Sequence, residues 1–300
     1  MHVAVLTGGI ASEREVCLVS GTNCAKALRD LGYQVTLVDA DKDVVAKLQK
    51  CAPDVALNTI WGQWGEDGTV QGILEGLRIP YSHSSILASA LAMDKYRAKR
   101  VLAASGLQVA NDHLYRPGDS PGSVTLTGTL IIKPNFEGSS IGMARVNAPS
   151  AEVEEILEQA QGPTLVEQYI EGRDLTVGVL DGAALGVSEV LTSNGIWDYK
   201  SKFGMAPKET VTPAEVPADL HAEICRQAET AHEALGCEGL TRVDFRWDDA
   251  RGTDGLYVIE LNTQPAIGFP RGGLDTQLEL KGYSLGQISE HLIKGARLRF

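Results

Sequence analysis

The amino-terminal part of the chain alternates short unbroken apolar runs with apolar positions at helical spacing. Val3-Ala-Val-Leu6 predicts a buried strand that ends at Thr7-Gly8-Gly9. Val16, Val19, Cys24, Ala27, Leu28 and Leu31 then share one helical face, so a helix is expected from near Ser12-Glu13 to Gly32. Val35–Val38 reads as a second strand, Val44–Leu48 as a short helix and Val55-Ala-Leu57 as a third strand. Strands and helices in alternation build parallel sheets. A polar, glycine-rich loop at Gly62–Gly68 leads into a helix reaching Leu77, and Ile79-Pro-Tyr81 reads as one more short strand.

Beyond that point the pattern becomes mixed. Ser84-Ser85 caps one helix, and Asp94 starts another that ends at Gly106. Pro117–Gly122 is an exposed loop. Leu130–Lys133 is a strand running into Pro134-Asn-Phe-Glu-Gly-Ser-Ser-Ile-Gly142. A helix at Ala151–Ala160, a strand at Thr164–Glu167 and a hairpin of Leu175–Leu180 with Ala184–Val190 around Asp181-Gly182 follow. Ser193–Pro213 is long, polar and weakly periodic, which predicts a lid. A long helix over Ala218–Leu235, strands at Leu240–Arg246 and Leu256–Leu261, and a last helix through Leu285–Ala296 complete the series.

Composition narrows the class. The chain has 300 residues, 43% of them hydrophobic, and a net charge of -12, with no dense basic run. That predicts a globular protein of two or three compact units and argues against nucleic acid as a partner. An acidic chain that handles a polyanion must gather its positive charge locally. The apolar run after Met1 is too short for a signal segment or a membrane span, so no membrane association is expected. The five cysteines form no C-x-x-C pair and read as small buried hydrophobes in a reducing cytoplasm.

Two segments carry the strongest chemical signal, Thr241-Arg-Val-Asp-Phe245 and Ile259-Glu-Leu-Asn262. Residues two apart on a strand share a face, so Arg242 lies beside Asp244, and Glu260 beside Asn262. If the strands are neighbours, their polar faces offer oxygen donors of the kind a hard divalent cation takes, or an ordinary solvated face with salt bridges. Glu137-Gly-Ser-Ser-Ile-Gly142 follows Lys133 closely and can bring backbone N–H groups to phosphate oxygens, or simply form a turn. Lys95 and Lys202 are further phosphate candidates or surface lysines. Glu13 at a helix N-terminus is either a cap or a carboxylate that holds an ammonium group. Gly8-Gly9 lacks the spacing of a dinucleotide fingerprint.

These segments, with Gly8-Gly-Ile-Ala-Ser-Glu-Arg-Glu-Val16, Gly65-Glu-Asp-Gly-Thr-Val-Gln-Gly72, Leu87-Ala-Ser-Ala-Leu-Ala-Met-Asp-Lys95, Ile132-Lys-Pro134 and Glu260-Leu-Asn-Thr-Gln-Pro265, resemble the D-alanine–D-alanine ligase family of ATP-grasp enzymes in order and spacing. The resemblance implies an α/β, overall α+β, ATP-grasp fold preceded by an amino-terminal parallel-sheet domain. Expected divisions are residues 1–84, 85–182 and 183–300. It implies ATP and Mg²⁺, with Mn²⁺ as a substitute, D-amino-acid substrates, an acyl-phosphate intermediate, a homodimer and a cytoplasmic place in peptidoglycan precursor synthesis. Carried over by position, Lys95, Lys133 and Lys202 would contact phosphates, Ser139 would lie in a flap over them, and Asp244, Glu260 and Asn262 would hold Mg²⁺. Arg242 would stabilise the acyl phosphate and the tetrahedral oxyanion, Glu13 would bind the first ammonium group, and Glu167, Tyr169, Ile170 and Asp174 would frame adenine and ribose.

Some positions depart from the family. Trp61-Gly62 stands where His-Gly is usual, Lys202-Phe203 where Lys-Tyr is usual, and Asp174 where Glu is usual. After Asn262-Thr the usual Pro-Gly-Met-Thr is replaced by Pro265-Ala-Ile-Gly268. Trp61 and Phe203 are expected to make the first-substrate neighbourhood more apolar, and Ala266 to hinder an N–H that faces the oxyanion. The sequence therefore leaves room for a paralogous ligase with another acid or amine, and for a non-catalytic ATP-binding relative.

Overall fold

The computed structural model describes residues 1–191, 209–269 and 273–299. β1 (His2–Thr7) lies between β2 (Gln34–Asp39) and β3 (Val55–Asn58) in a parallel sheet, with α1 (Arg14–Asp30) and α2 (Val44–Cys51) as the connections. The unbroken apolar run of β1 is explained by its two covered faces. Val3 and Val5 meet Cys24, Ala25 and Leu28 of α1, whereas Ala4 and Leu6 meet Val44 and Leu48 of α2.

The buried stripe of α1 is Cys17, Ser20, Gly21, Cys24, Ala25 and Leu28. It is rotated from the face expected from the sequence, and Val19 and Leu31 are exposed. Small residues decide this, because they let the helix backbone approach β1. A Cβ on Gly21 would sit 2.4 Å from Thr7 Oγ1. The expected strand at Ile79-Pro-Tyr81 is only a pair of single bridges, Tyr81 to Ala56 and Tyr81 to Arg297. Pro80 has no N–H to extend them.

After α3 (Thr69–Gly76), Ser85 caps α4 (Ile86–Met93) by accepting from Ala88 N, and Asp94 accepts from Arg97 N at the start of α5 (Lys95–Ala104). An antiparallel four-stranded sheet follows in the order β4 (Asp112–Tyr115), β7 (Thr164–Gln168), β5 (Gly128–Pro134), β6 (Ala144–Ala148), with α6 (Ala151–Glu158) before β7. The short strands β4 and β6 carry mostly half-buried or polar positions and give no alternation to read.

A five-stranded antiparallel sheet runs β10 (Glu209–Val211), β9 (Ala183–Leu191), β8 (Arg173–Leu180), β11 (Leu240–Trp247), β12 (Leu256–Asn262). The β8–β9 hairpin turns at Asp181-Gly182, both at positive φ (48° and 83°). Its strands pair with each other, so the expected division at residues 182–183 cuts through one sheet, and the link at 169–172 separates the two sheets instead. Helix α7 (Ala218–Ala234) packs Ile224 and Ala228 against Val177, Val243 and Phe245 of the sheet. α8 (Gly273–Leu280) packs on β8 and β9, and α9 (Leu285–Lys294) returns to α1 and β3. Leu274, Leu278, Ile288 and Leu292 thereby share one core with Val3 and Val5. The carboxyl-terminal helix thus belongs with the amino-terminal sheet. The expected lid falls outside the described residues except for its end at β10.

Two glycine substitutions should separate packing from helix propensity. Alanine is favoured over glycine in a helix by about 1 kcal/mol. Gly76→Ala, with open space around the new methyl, should raise the melting temperature. Gly21→Ala should lower it, because overpacking against Thr7 costs about 1–3 kcal/mol and outweighs the propensity gain. Thermal denaturation of both variants checks this, and a more stable Gly21→Ala protein would contradict the packing account.

Candidate active site

The four-stranded and five-stranded sheets flank an open cleft. Ile131, Met143, Leu175, Phe245 and Ile259 give it apolar walls, and Lys95, Lys133, Glu167, Asp244 and Glu260 place charge in it. Tyr169, Ile170 and Asp174 line it from the link and from the start of β8. Of the residues singled out in the sequence, these eight thus meet in one cavity: Lys95, Lys133, Glu167, Tyr169, Ile170, Asp174, Asp244 and Glu260. Lys202 and Phe203 lie outside the described residues.

β11 and β12 are neighbours, with Asp244 opposite Glu260 and Arg242 opposite Asn262. The register then slips so that Phe245 faces Val258, which leaves Ile259 as an extra residue that aims Glu260 into the cleft. Arg242 donates from Nε and Nη2 to the two oxygens of Asp244 at 2.9 and 2.8 Å. Thr176 Oγ1 donates to Asp244 Oδ1 at 2.7 Å, and Asn262 Nδ2 to Oδ2 at 3.3 Å. Burial by itself would lower the Arg242 pKa, but the Asp244 carboxylate outweighs it and raises the value. Among the described residues no three His, Cys, Asp or Glu side chains form a metal cluster. The donor set of two carboxylates and an amide fits Mg²⁺, which takes few protein oxygens and completes its shell with phosphate and water.

Deeper in the cleft, Lys133 Nζ lies 2.5 Å from Glu167 Oε1, and Lys99 Nζ lies 2.8 Å from Glu167 Oε2 and 3.0 Å from Asp112. Burial would raise the Glu167 pKa, yet the two lysines take it down to about 2. Lys133 is pulled down by burial and more than restored by Glu167 and Glu260, so its pKa is raised. Lys95 has its pKa lowered by burial and donates to Glu137 O at 2.6 Å. That bond ties it to the Gly/Ser loop, where Ser139 and Ser140 both adopt positive φ (54° and 58°). For serine this left-handed conformation is strained, and such strain gathers at ligand-binding loops. Ser140 and Gly138 line the cleft, and Ser139 stands between them at the loop tip.

Glu13 is buried and makes no cap hydrogen bond to α1, which removes the capping role. Its carboxylate accepts from Ser12 Oγ and lies against Gly62 and Gly138, where added Cβ atoms would approach within 2.6 and 2.8 Å. Glycine at both positions is what admits it. Beside it, a smaller hollow adjoins the cleft through Lys95, Gly138 and Glu260 and reaches Glu66 and Asn262. Burial pushes the Glu66 carboxyl up to about 8, opposed by a hydrogen bond from Gly62 N and reinforced by Glu13.

Trp61 precedes Gly62, the residue against which Glu13 packs. The tryptophan is 7% exposed, its ring lies in the core with Leu6 and Val70, and Phe269 meets it edge-on at 5.8 Å between centroids. The altered 265–269 segment is docked on the first unit by this pair and by Ser20 Oγ donating to Ile267 O at 2.5 Å. Sequence reasoning missed Lys99, Glu66 and Arg246. Arg246 could have been found by continuing the Arg242, Asp244 alternation by one step.

The family profile described as "D-ala D-ala ligase C-terminus" matches residues 123–294. A D-alanine–D-alanine ligase of Ruegeria sp. (strain TM1040) is 44% identical over 295 residues, covering 98% of this chain and 95% of that protein. One from Agrobacterium fabrum is 44% identical over 301 residues, covering 98% and 97%. The crystal structure of the Bacillus anthracis D-alanine–D-alanine ligase complexed with ATP superposes with a TM-score of 0.79 at 25% identity, covering 98% of this chain and 96% of that one.

The Glu66 carboxyl gives a pH prediction. It keeps its proton to about pH 8 in the folded chain, against an ordinary value of 4.5, so the folded state binds more protons between those limits. Stability therefore falls as pH rises through that window. Glu66→Gln should flatten the fall, as read by urea denaturation at a series of pH values. An unchanged slope would remove Glu66 as its source.

Proposed function

The chain belongs to the D-alanine–D-alanine ligase family, and from that premise we propose how its cleft divides the work among nucleotide, metal and amino acids. It is an ATP-dependent ligase that makes a D-alanyl-D-alanine dipeptide for peptidoglycan precursors. The observation that carries the residue roles is the two-sheet cleft with apolar walls, whose charged end holds Lys95, Lys133, Asp244 and Glu260. Tyr169, Ile170, Asp174 and Glu167 take adenine and ribose, and Lys95 and Lys133, with Lys202, take the phosphates. Ser139 belongs to the flap that covers them. Asp244, Glu260 and Asn262 hold Mg²⁺, with Mn²⁺ able to replace it. When bound, the cation supplies positive charge to the transferring phosphoryl group.

The carboxylate of the first D-alanine attacks the γ-phosphorus, giving an acyl phosphate and ADP. The amine of the second D-alanine then attacks the acyl carbon, and phosphate leaves from the tetrahedral intermediate. Glu13, wedged between Gly62 and Gly138, holds the first ammonium group and so fixes where its carboxylate points. Arg242 is always charged, and its tie to Asp244 keeps it beside the metal ligands, where negative charge grows on the acyl phosphate and the oxyanion.

No helix among the described residues is long and apolar enough to cross a membrane. The use of ATP supports a cytoplasmic location.

Ligand binding to the folded state raises stability, by about 2.7 kcal/mol at a hundred times Kd. ATP with Mg²⁺ should raise the melting temperature of the native chain and do so much less for Glu260→Ala. Equal shifts would take Glu260 out of the metal site. Phosphate release should require D-alanine, and Glu13→Ala should raise KM for D-alanine while leaving the ATP-induced shift intact. Loss of the ATP shift in Glu13→Ala would contradict its assignment to the amino acid.

A further inference from the structure

Arg246 has its guanidinium almost wholly out of water, with the side chain 7% exposed, yet it lines the nucleotide cleft. A buried charge persists only when it is paired and hydrogen-bonded. Here the partners come from three directions. Nε donates to Ile170 O at 2.8 Å, Nη1 lies 2.7 Å from Asp174 Oδ2, and Nη2 donates to the Tyr169 hydroxyl at 2.5 Å. The Tyr169 ring also lies 5.1 Å from the Arg246 guanidinium, and Arg145 sits over the ring at 3.9 Å.

The placement follows from the fold. β11 pairs with β8 so that Arg246 is opposite Asp174. Tyr169 and Ile170 belong to the link between the two sheets, which passes so close to β11 that a Cβ on Gly172 would lie 2.0 Å from Trp247 O. The link is therefore fixed at two points, by the absence of a side chain at Gly172 and by the guanidinium fork of Arg246. A planar fork with several fixed donors can hold a backbone carbonyl, a carboxylate and a phenol together, which an ammonium group cannot.

We propose that Arg246 is a positioning residue of the nucleotide site, which sets the Tyr169–Ile170 link and Asp174 for reading the nucleoside and leaves the triphosphate untouched. This rests on the cleft being the ATP site.

The test compares the native chain with Arg246→Met and Arg246→Lys. Losing a charge-assisted hydrogen bond is equivalent to about ten- to a hundredfold in affinity. Arg246→Met should therefore raise KM for ATP about tenfold or more, while KM for D-alanine and kcat at saturating ATP change less than about threefold. Arg246→Lys, which keeps the charge beside Asp174 without the fork, should fall between, and it decides alone if the methionine variant does not fold. The second readout is the melting shift with Mg²⁺ and either ATP or inorganic triphosphate. The native chain should respond more to ATP, and the variants should lose that excess while keeping the triphosphate shift. An unchanged KM for ATP, or a loss of kcat without a KM change, overturns the proposal. Equal ATP and triphosphate shifts in the native chain would instead overturn the nucleotide reading on which it rests.

Discussion

The constraint on which the rest of the structure depends is that a buried cation in this cleft needs a fixed oxygen partner, a carboxylate for Lys133, Arg242 and Arg246 and the Glu137 carbonyl for Lys95. The chain carries a net charge of -12 and must still receive a polyanionic nucleotide. It does so by burying cations already neutralised: Lys133 on Glu167, Arg242 on Asp244 and Arg246 on Asp174. Buried ion pairs add little stability over apolar packing, and breaking one is costly. Their value here is geometric, since each pair fixes one donor at one place before any ligand arrives.

The fold exists to bring those pairs into register. β8, β11 and β12 set Asp174 against Arg246 and Asp244 against Glu260, and the extra residue Ile259 turns Glu260 toward the cleft. Glu167 comes from the other sheet and meets Lys99 from α5, so the far wall is held by charge as well as by its own small core. Glu13, from the parallel-sheet unit, reaches the same region only because Gly62 and Gly138 leave it room. The return of α9 to β3 and α1 puts Ile288 and Leu292 in one core with Val3, Val5 and Leu57, so the parallel-sheet unit is held to the helices that pack on it.

Much of this was legible in the sequence, for a local reason. The alternation in Thr241–Phe245 and Ile259–Asn262 gave the shared faces, and hydrophobic period gave β1, α7 and the β8–β9 hairpin. What stayed hidden depends on partners distant in sequence. Nothing near Lys99 announces that it will meet Glu167, 68 positions away. Trp61 turned into the core because Phe269, Leu6 and Val70 are there to receive it, and period cannot show that. The face of α1 was misjudged because close approach favours Ser20 and Gly21 over larger apolar neighbours. The Asp181-Gly182 turn reads as a hairpin in the sequence, and the pairing of β8 with β9 agrees with that reading.

The most direct test of the pre-paired cleft is a crystal structure with a non-hydrolysable ATP analogue and Mg²⁺. The account predicts that Asp244 leaves Arg242 for the cation, while the Glu167–Lys99 and Asp174–Arg246 pairs persist and the base lies between Tyr169, Ile170 and the apolar walls. A complex in which the Arg242–Asp244 pair stays closed with the metal held by other residues, or in which Glu167 abandons Lys99, would contradict it.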